Sequence, residues 1–340
     1  MTWKDPEVKN PMRMLAALVA AGALTLTACG GGSTDSGSDG TPAGGGSDSY
    51  TIGINVFDSH PSLDAARDGF MQAIEDAGLD VTYDEQNAQG DQSTAAAISS
   101  KFATSDIDLV LAIATPSAQA TAQAVTEIPV LFTAVTDPVS AELVDSNEAP
   151  GANVTGTSDI NPVADQIALI KQIVPDAENF GIVYSSGEIN SAVQVEMARE
   201  AAQAEGLEVV EKTISARAEV LQGVQALGDV DAIYVPTDNF VVAGLDSVLQ
   251  VAEEKKIPVI VAETDSVNKG GLITLGISYF DLGVQTGEMA VQILTEGADP
   301  ATLAVGTQPG TRLVINTSAA ERMGITVPQE LLDAADEKVS

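Results

Sequence analysis

The sequence predicts an α/β protein whose two lobes each contain a doubly wound parallel sheet and face each other across a cleft. From residue 50 onward, short apolar runs alternate with amphipathic helical stretches, which is the pattern of βαβ units. The runs at 52–56, 109–113 and 130–132 are mostly apolar, as expected of strands covered on both faces. Between them, the spacing of apolar residues predicts helices at 64–77 and 117–126.

The same order of signals occurs twice along the chain, which indicates two similar lobes. Ile52-Gly-Ile54 opens the first half and Phe180-Gly-Ile182 opens the second, and an Ile-Pro-Val run follows later in each. We assign residues 50–158 and 283–308 to the first lobe and residues 159–282 and 309–340 to the second. The late strands at 154–158 and 274–278 are expected where the chain crosses between the lobes.

The N-terminal segment has the pattern of an export signal. Lys9 and Arg13 precede an apolar run at 14–25, which is too short for a membrane span of about 20 residues. We therefore predict a signal peptide over residues 1–28. Because residues 1–11 are polar, the start codon is left open between Met1, Met12 and Met14.

Leu26-Thr-Ala-Cys29 resembles a bacterial lipobox, in which a cysteine thiol receives the lipid. Cys29 is the only cysteine of the chain, so we predict that it is acylated and anchors the protein to a membrane. Residues 29–49 are rich in Gly, Ser and Asp and predict a flexible linker behind that anchor.

The charge balance excludes some partners. The chain has 49 acidic and 15 basic residues, a formal net charge of −34. Nucleic acids and anionic lipid surfaces are bound through Lys and Arg, so neither is an expected partner. Two interpretations of the acidity stay open: solubility, and a field that gathers a cationic ligand.

Loops at the strand ends are the candidate binding site, because ligands of parallel sheets lie beyond the carboxyl ends of the strands. In the first lobe, the amides that begin a helix at Thr115-Pro-Ser-Ala-Gln119 suit a carboxylate, or are an ordinary helix cap. Carboxylates in the second lobe suit an ammonium group, or are caps. Together they describe a receptor for an α-amino acid. The predicted ligand-binding residues are Phe57, His60, Thr115, Ser117, Ala118, Gln119, Thr136, Asp137, Glu188, Asn190, Ser191, Asp238, Asn239 and Asp265.

Catalysis is not expected of this chain. His60 is its only histidine, and its acidic neighbours in one loop rarely form a catalytic triad. The sequence contains no nucleotide-binding, nucleophile-elbow or metalloprotease motif. We therefore expect neither an enzyme, nor a cofactor, nor a metal site.

Several loops resemble, in the same order, those of the tryptophan/tyrosine ABC-transporter substrate-binding proteins. They are Ser59-His-Pro-Ser-Leu-Asp64, Gly90-Asp-Gln92, Ala114-Thr-Pro-Ser-Ala-Gln119, Thr133-Ala-Val-Thr-Asp-Pro138, Thr155-Gly-Thr-Ser-Asp159, Tyr184-Ser-Ser-Gly-Glu-Ile-Asn-Ser191, Pro236-Thr-Asp-Asn239 and 278–283. The resemblance covers residues 50–335. It implies a type I periplasmic-binding-protein fold that closes by a hinge around an amino acid, often an aromatic one, and delivers it to an ABC permease and ATPase.

The resemblance also implies roles for particular residues. The Thr115–Gln119 loop would hold the ligand carboxylate, and Glu188, Asn190, Ser191, Asp238 and Asp265 would complete the polar site. Family members often have glutamine before the phenylalanine of the first loop, where this chain has Val56. We expect a monomer at the outer face of the cytoplasmic membrane, in a periplasm or at the cell surface.

A different ligand is the alternative at this stage: a nucleoside, a sugar or a branched-chain amino acid, bound by an exported receptor or sensor. Sites for sugars and nucleosides usually stack rings on Trp or Phe. The only tryptophan of this chain is Trp3, inside the predicted signal peptide.

Overall fold

The computed structural model describes residues 49–308 and 310–340. The predicted signal peptide, Cys29 and almost all of the predicted linker lie outside these residues. Thirteen strands occur in the described residues: Ser49–Val56 (β1), Asp80–Asn87 (β2), Leu109–Ile113 (β3), Val130–Val135 (β4), Val154–Ser158 (β5), Asn179–Ser185 (β6), Glu208–Ile214 (β7), Ile233–Val235 (β8), Val259–Val261 (β9), Ile273–Gly276 (β10), Gly306–Thr307 (β11), Arg312–Asn316 (β12) and Glu337–Val339 (β13).

Helices alternate with these strands. The α-helices of the described residues are Pro61–Asp76 (α1), Gln92–Phe102 (α2), Thr115–Ala124 (α3), Val163–Ile173 (α4), Ile189–Glu205 (α5), Val220–Gln225 (α6), Asn239–Ala243 (α7), Leu245–Lys255 (α8), Thr264–Lys269 (α9), Tyr279–Val291 (α10), Thr317–Met323 (α11) and Gln329–Ala334 (α12). A 3₁₀ turn at Arg217–Glu219 precedes α6, and a π-helical turn at Gln292–Glu296 follows α10. The two helices predicted from the sequence, 64–77 and 117–126, correspond to α1 and α3 with ends shifted by one to three residues.

The strands form two sheets, so the predicted α/β fold with two parallel-sheet lobes is confirmed. The six strands of the first sheet are parallel and lie in the order β11-β5-β4-β3-β1-β2. The second sheet has the order β13-β12-β10-β9-β8-β6-β7. It is parallel except where β12 runs antiparallel to β10. Each sheet belongs to its own apolar core, one for each lobe.

The chain crosses between the lobes after β5, after β10 and after β11. Strand β5 lies in the first sheet and β10 in the second, so the crossing segments are the residues that follow these strands. Helix α10 begins at Tyr279, and both Tyr279 and Leu282 belong to the core of the first lobe. The chain thus returns to the first lobe before residue 283. The sequence predicts this return at residue 283, which is too late.

Helix α10 packs directly on α1, and glycines allow the two backbones to touch. A Cβ atom on Gly283 would lie 1.9 Å from the carbonyl oxygen of Ala66, and one on Gly69 would lie 2.0 Å from that of Phe280. Any larger side chain at these two positions would push the helices apart. The contact fixes a late segment of the chain to the first helix of the first lobe.

Among residues 49–308 and 310–340, no helix has the length and apolar character needed to cross a bilayer.

Candidate functional site

A narrow cavity lies between the lobes. Six of its lining residues come from the first lobe: His60, Ser62, Leu63, Ala134, Asp159 and Tyr279. The other five come from the second lobe: Asn190, Thr237, Asn239, Val242 and Glu263. Ten of these residues follow the carboxyl end of a strand in the chain, and Ala134 is the last but one residue of β4. Parallel sheets bind their ligands at this end of the strands.

The N-terminus of α1 forms one wall of the cavity. Pro61 is the first helical residue, and Ser62 and Leu63 follow it in the first turn. The first amides of a helix have no partner within the helix, and the helix dipole makes this end attractive to an anion. The hydroxyl of Ser62 and both imidazole nitrogens of His60 are buried without a hydrogen-bond partner in the described structure. Burial lowers the pKa of His60 to about 4, so the ring is neutral at pH 7.

Asp159 supplies a buried carboxylate on the same side of the cavity. Its backbone N–H donates to the carbonyl of Val135 at 3.2 Å, which continues the pairing of β5 with β4. The hydroxyl of Tyr279 donates a hydrogen bond to Oδ2 of Asp159, whereas Oδ1 is buried and has no partner among the described residues. Burial raises the pKa of this carboxyl above its usual range.

Glu188 lies behind the opposite wall, at the N-terminus of α5. Its Oε2 accepts hydrogen bonds from the side-chain amides of Asn190, at 3.2 Å, and Asn239, at 2.5 Å, and both amides line the cavity. Its Oε1 is buried and without a partner in the part of the chain that the structure describes. Burial, reinforced by the charge of Asp238, raises the pKa of Glu188 to about 8.

Glu263 is the second carboxylate that lines the cavity. Both of its oxygens accept the N–H of Ser266, at 3.1 and 3.0 Å, so the side chain caps α9. Burial raises its pKa. Asp265, two residues further on, has a pKa raised to about 7 by burial and by Glu263. It does not line the cavity.

The charges of the cavity favour a cationic group in the ligand. Its described lining contains Asp159 and Glu263 but neither lysine nor arginine. A buried carboxylate without a positive partner is unfavourable, so an ammonium group of a ligand would relieve that cost. Leu63 and Val242 add apolar surface to the same cavity. The arrangement suits a small molecule with an ammonium group and an apolar part.

The structure brings several predicted binding residues to this cavity. His60, Asn190 and Asn239 line it, and Glu188 is bonded to both asparagines. Thr136 lies at its edge, where its hydroxyl is 3.3 Å from that of Thr237 across the lobe boundary.

Asp238 and Ser191 are held within the second lobe. Asp238 accepts the backbone N–H groups of Ser185, at 2.6 Å, and Val241, at 2.9 Å, so its carboxylate caps α7. It also accepts the hydroxyl of Ser191 at 2.7 Å. Neither side chain lines the cavity.

Other predicted residues lie elsewhere. Thr115, Ser117 and Ala118 are buried in the first lobe, where the Ser117 hydroxyl donates to Oδ1 of Asn55 at 3.3 Å. The Gln119 side chain donates to the carbonyl of Ala141 at 3.1 Å.

Phe57 and Asp137 also lie outside the cavity lining. The ring of Phe57 packs 6.2 Å from that of Phe240, centroid to centroid. Asp137 accepts the N–H groups of Val139 and Ser140, at 3.1 and 3.0 Å, within its own loop. These contacts are structural.

Sequence reasoning did not single out eight lining residues: Ser62, Leu63, Ala134, Asp159, Thr237, Val242, Glu263 and Tyr279. Four of them, Ser62, Leu63, Thr237 and Glu263, lie in loops that follow strands and were therefore within reach of the strand-end rule. Asp159 and Tyr279 follow the crossing strands β5 and β10, so the same rule applied there would have found them.

Comparison with known proteins agrees with this architecture. The family model for ABC transporter substrate binding proteins matches residues 51–339. A tyrosine-binding protein of Clostridioides difficile is 42% identical over 312 residues, which span 89% of this chain and 90% of the relative.

Two solved structures are also similar. The crystal structure of an ABC domain in complex with L-Trp from Streptococcus pneumonia is 38% identical, with a TM-score of 0.82, over 86% of this chain and 100% of the other. The ligand-free, open structure of a substrate-binding protein with adhesive properties from Clostridium difficile is 43% identical, with a TM-score of 0.64, over the same shares. The present structure therefore superposes better on the L-Trp complex than on the open structure.

The chain belongs to the family of ABC transporter substrate-binding proteins. The resemblance found in the loop sequences is confirmed, and the protein is the solute-binding component of an ABC transporter. Such a component binds its solute and presents it to the transporter.

Proposed function

We propose that this protein captures an aromatic α-amino acid, tyrosine or tryptophan, in the interlobe cavity and delivers it to an ABC importer. The observation that carries the proposal is the buried carboxylate oxygen Oδ1 of Asp159, which lies in a residue of the cavity lining and has no partner among the described residues. The related tyrosine-binding protein and L-Trp complex support the same ligand class.

We assign the ligand groups to the walls by charge. The ammonium group lies between the acidic side chains of Asp159 and Glu263, where it neutralises them. The carboxylate lies at the N-terminus of α1, where free amides and the Ser62 hydroxyl donate to it. The ring packs against Leu63 and Val242.

The Thr115–Gln119 loop is the competing position for the carboxylate. Its side chains lie within the first lobe and outside the cavity lining. The α1 position is therefore the better supported of the two.

Calorimetric titration with each amino acid, several sugars and several nucleosides tests the ligand class. We expect heat from tyrosine or tryptophan, and a thermal shift worth about 4.1 kcal/mol at a thousandfold excess over Kd. Binding of a sugar or a nucleoside, with none of any amino acid, would refute the proposal. In a chain carrying Trp3→Phe no tryptophan remains, so blue-shifted indole emission after adding L-tryptophan reports a buried ligand.

Asp159→Asn tests the ammonium site, with Asp165→Asn as its control. Asp165 is an exposed residue in the first turn of α4, outside the cavity. We expect Asp159→Asn to weaken binding at least tenfold, because loss of a charge-assisted hydrogen bond costs about 1.5–3 kcal/mol. Equal affinity of the two variants would contradict this assignment.

We further propose that the protein is an acylated lipoprotein, anchored through Cys29 outside the cytoplasmic membrane. The lipobox-like Leu26-Thr-Ala-Cys29 supports this. Mass spectrometry of the membrane-extracted protein should find diacylglycerol on Cys29 and no residues 1–28. A Cys29→Ser chain that still fractionates with membranes would contradict the anchor.

A further inference from the structure

An ion pair joins the two lobes beside the cavity. Arg217, in the 3₁₀ turn of the second lobe, donates to Oδ2 of Asp58, in the loop that follows β1 of the first lobe. The side chain of Asp58 is only 4% exposed, whereas that of Arg217 is 47% exposed. Separation of the lobes would therefore break the pair and expose a buried carboxylate to water.

An aromatic contact crosses the lobe boundary next to this pair. Phe240 packs against the cores of both lobes, and its ring centroid lies 6.2 Å from that of Phe57. A Cβ atom on Gly90 would lie 2.8 Å from Cε1 of Phe240 and 3.3 Å from Oδ2 of Asp58. The backbone at Gly90, which has φ = 75°, thus leaves room for both side chains.

Both contacts are adjacent along the chain to residues that line the cavity. Asp58 is two residues before His60, and Phe240 directly follows Asn239. A ligand bound in the cavity would therefore bring these two loops together in the geometry that the ion pair needs. None of Asp58, Arg217 and Phe240 lines the cavity itself.

We propose that Asp58, Arg217 and Phe240 form an interlobe latch that sets how long the bound ligand is retained. The latch forms only when the lobes are closed, so it slows opening and leaves the encounter of ligand with the open protein unchanged. Loss of one partner of a hydrogen-bonded charge pair acts chiefly on the dissociation rate. The three residues are positioning residues, since they act through the closed arrangement of the lobes.

Arg217→Gln tests the latch, and Arg312→Gln is the matched control. Arg312 pairs with Glu337 at 2.9 Å and is 50% exposed, but both partners belong to the second lobe. With L-tryptophan as the probe, stopped-flow measurements should give about tenfold faster dissociation for Arg217→Gln, with an unchanged association rate. The control should match the unaltered protein in both rates.

Two further measurements distinguish the latch from a merely structural role: the salt dependence of the dissociation rate, and the dissociation rate of a double variant. At about 1 M salt, where the screening length is ~3 Å, dissociation from the unaltered protein should accelerate, while dissociation from Arg217→Gln should change less. Asp58→Asn combined with Arg217→Gln should dissociate no faster than either single variant. Additive effects of the two substitutions, or an unchanged dissociation rate in Arg217→Gln, would overturn the proposal.

If Arg217→Gln lowers the thermal midpoint of the ligand-free protein, Phe240→Leu is used as a second variant to test the latch. We expect it to accelerate dissociation as well, because the cross-lobe ring contact is lost. An unchanged rate in this variant would overturn the role of Phe240.

The choice of L-tryptophan as the probe rests on the proposed function. If the unaltered protein bound no aromatic amino acid, the proposed function would fail, and the latch would be tested with the sugar or nucleoside that the calorimetric titration identifies. Arg217→Gln should then still release that ligand faster than Arg312→Gln does. Equal dissociation rates of the two variants would overturn the latch.

Discussion

The hydroxyl of Tyr279 donates a hydrogen bond to the buried carboxylate of Asp159. Each of the two residues lies just after a strand at which the chain crosses from one lobe to the other. Asp159 follows β5, and Tyr279 begins α10 shortly after β10. The crossing segments are therefore bonded to each other inside the cavity wall. The same carboxylate can then respond both to a ligand and to the relative position of the lobes.

Tyr279→Phe should weaken binding of L-tyrosine or L-tryptophan about tenfold. The substitution keeps the ring but removes the hydroxyl that stabilises the ionised form of Asp159, and such a bond contributes about 1.5–3 kcal/mol. Isothermal titration calorimetry measures the effect. Tyr184→Phe is the control, because the Tyr184 hydroxyl donates at 3.2 Å to Glu211, outside the cavity. A larger loss in the control than in Tyr279→Phe would contradict the role given to Tyr279.

The stability of the ligand-free protein should fall as pH rises from about 5 to about 8. Burial raises the pKa of Glu188 to about 8 in the folded state, whereas an unfolded glutamate titrates near ~4.3. The folded state thus binds more protons in this window, and its stability falls with rising pH by up to ~1.4 kcal/mol per pH unit for one group. Urea unfolding at several pH values measures this slope.

Glu188→Gln should flatten that pH dependence, because the neutral amide has no proton to lose. Glu208→Gln is the control, since Glu208 is exposed at the start of β7 and its substitution should leave the slope unchanged. Identical slopes in both variants would show that other groups cause the pH dependence.

Ser117→Ala and Ser62→Ala separate the two positions available for the ligand carboxylate. Ser117 donates to Asn55 inside the first lobe, so its loss should lower the free energy of unfolding by about 1 kcal/mol and leave Kd unchanged. Ser62 lines the cavity and has no partner among the described residues, so Ser62→Ala should raise Kd without lowering stability. The reverse outcome would place the carboxylate at the Thr115–Gln119 loop.

Gly283→Ala should destabilise the protein by about 1–3 kcal/mol. The added methyl group would lie 1.9 Å from the carbonyl oxygen of Ala66, so α10 must move away from α1, at the cost typical of an overpacked core. Gly310→Ala is the control, because a Cβ there would meet no heavy atom within 4 Å. Thermal unfolding of both variants gives the comparison, and equal midpoints would contradict a tight helix contact.

The sequence was informative about the fold because its signals are local. Strand β3, buried along its whole length, contains the apolar run predicted at 109–113, and the repeated motifs at residues 52–54 and 180–182 lie in the first strand of each lobe. The return to the first lobe was placed too late because α10 is a single amphipathic helix. Nothing in its sequence indicates that its partner is α1, more than 200 residues earlier.

The candidate site was predicted less completely, because side-chain partners depend on tertiary structure. His60, Asn190 and Asn239 were identified by their positions in strand-end loops and do line the cavity. Ser117 has the same kind of position, yet its hydroxyl bonds to Asn55, the last but one residue of β1, which no loop pattern could reveal. Only the assembled lobe decides which strand-end side chains face the ligand.

The contact between α1 and α10 also determines the order in which the lobes can be completed during synthesis. Strands β6 to β10, which form most of the second sheet, are contiguous in the chain. The first lobe must wait for α10, since Leu63, Ala66 and Phe70 of α1 belong to the same core as Leu282 and Met289. A nascent chain that stops before residue 279 therefore lacks the helix that packs most extensively on α1.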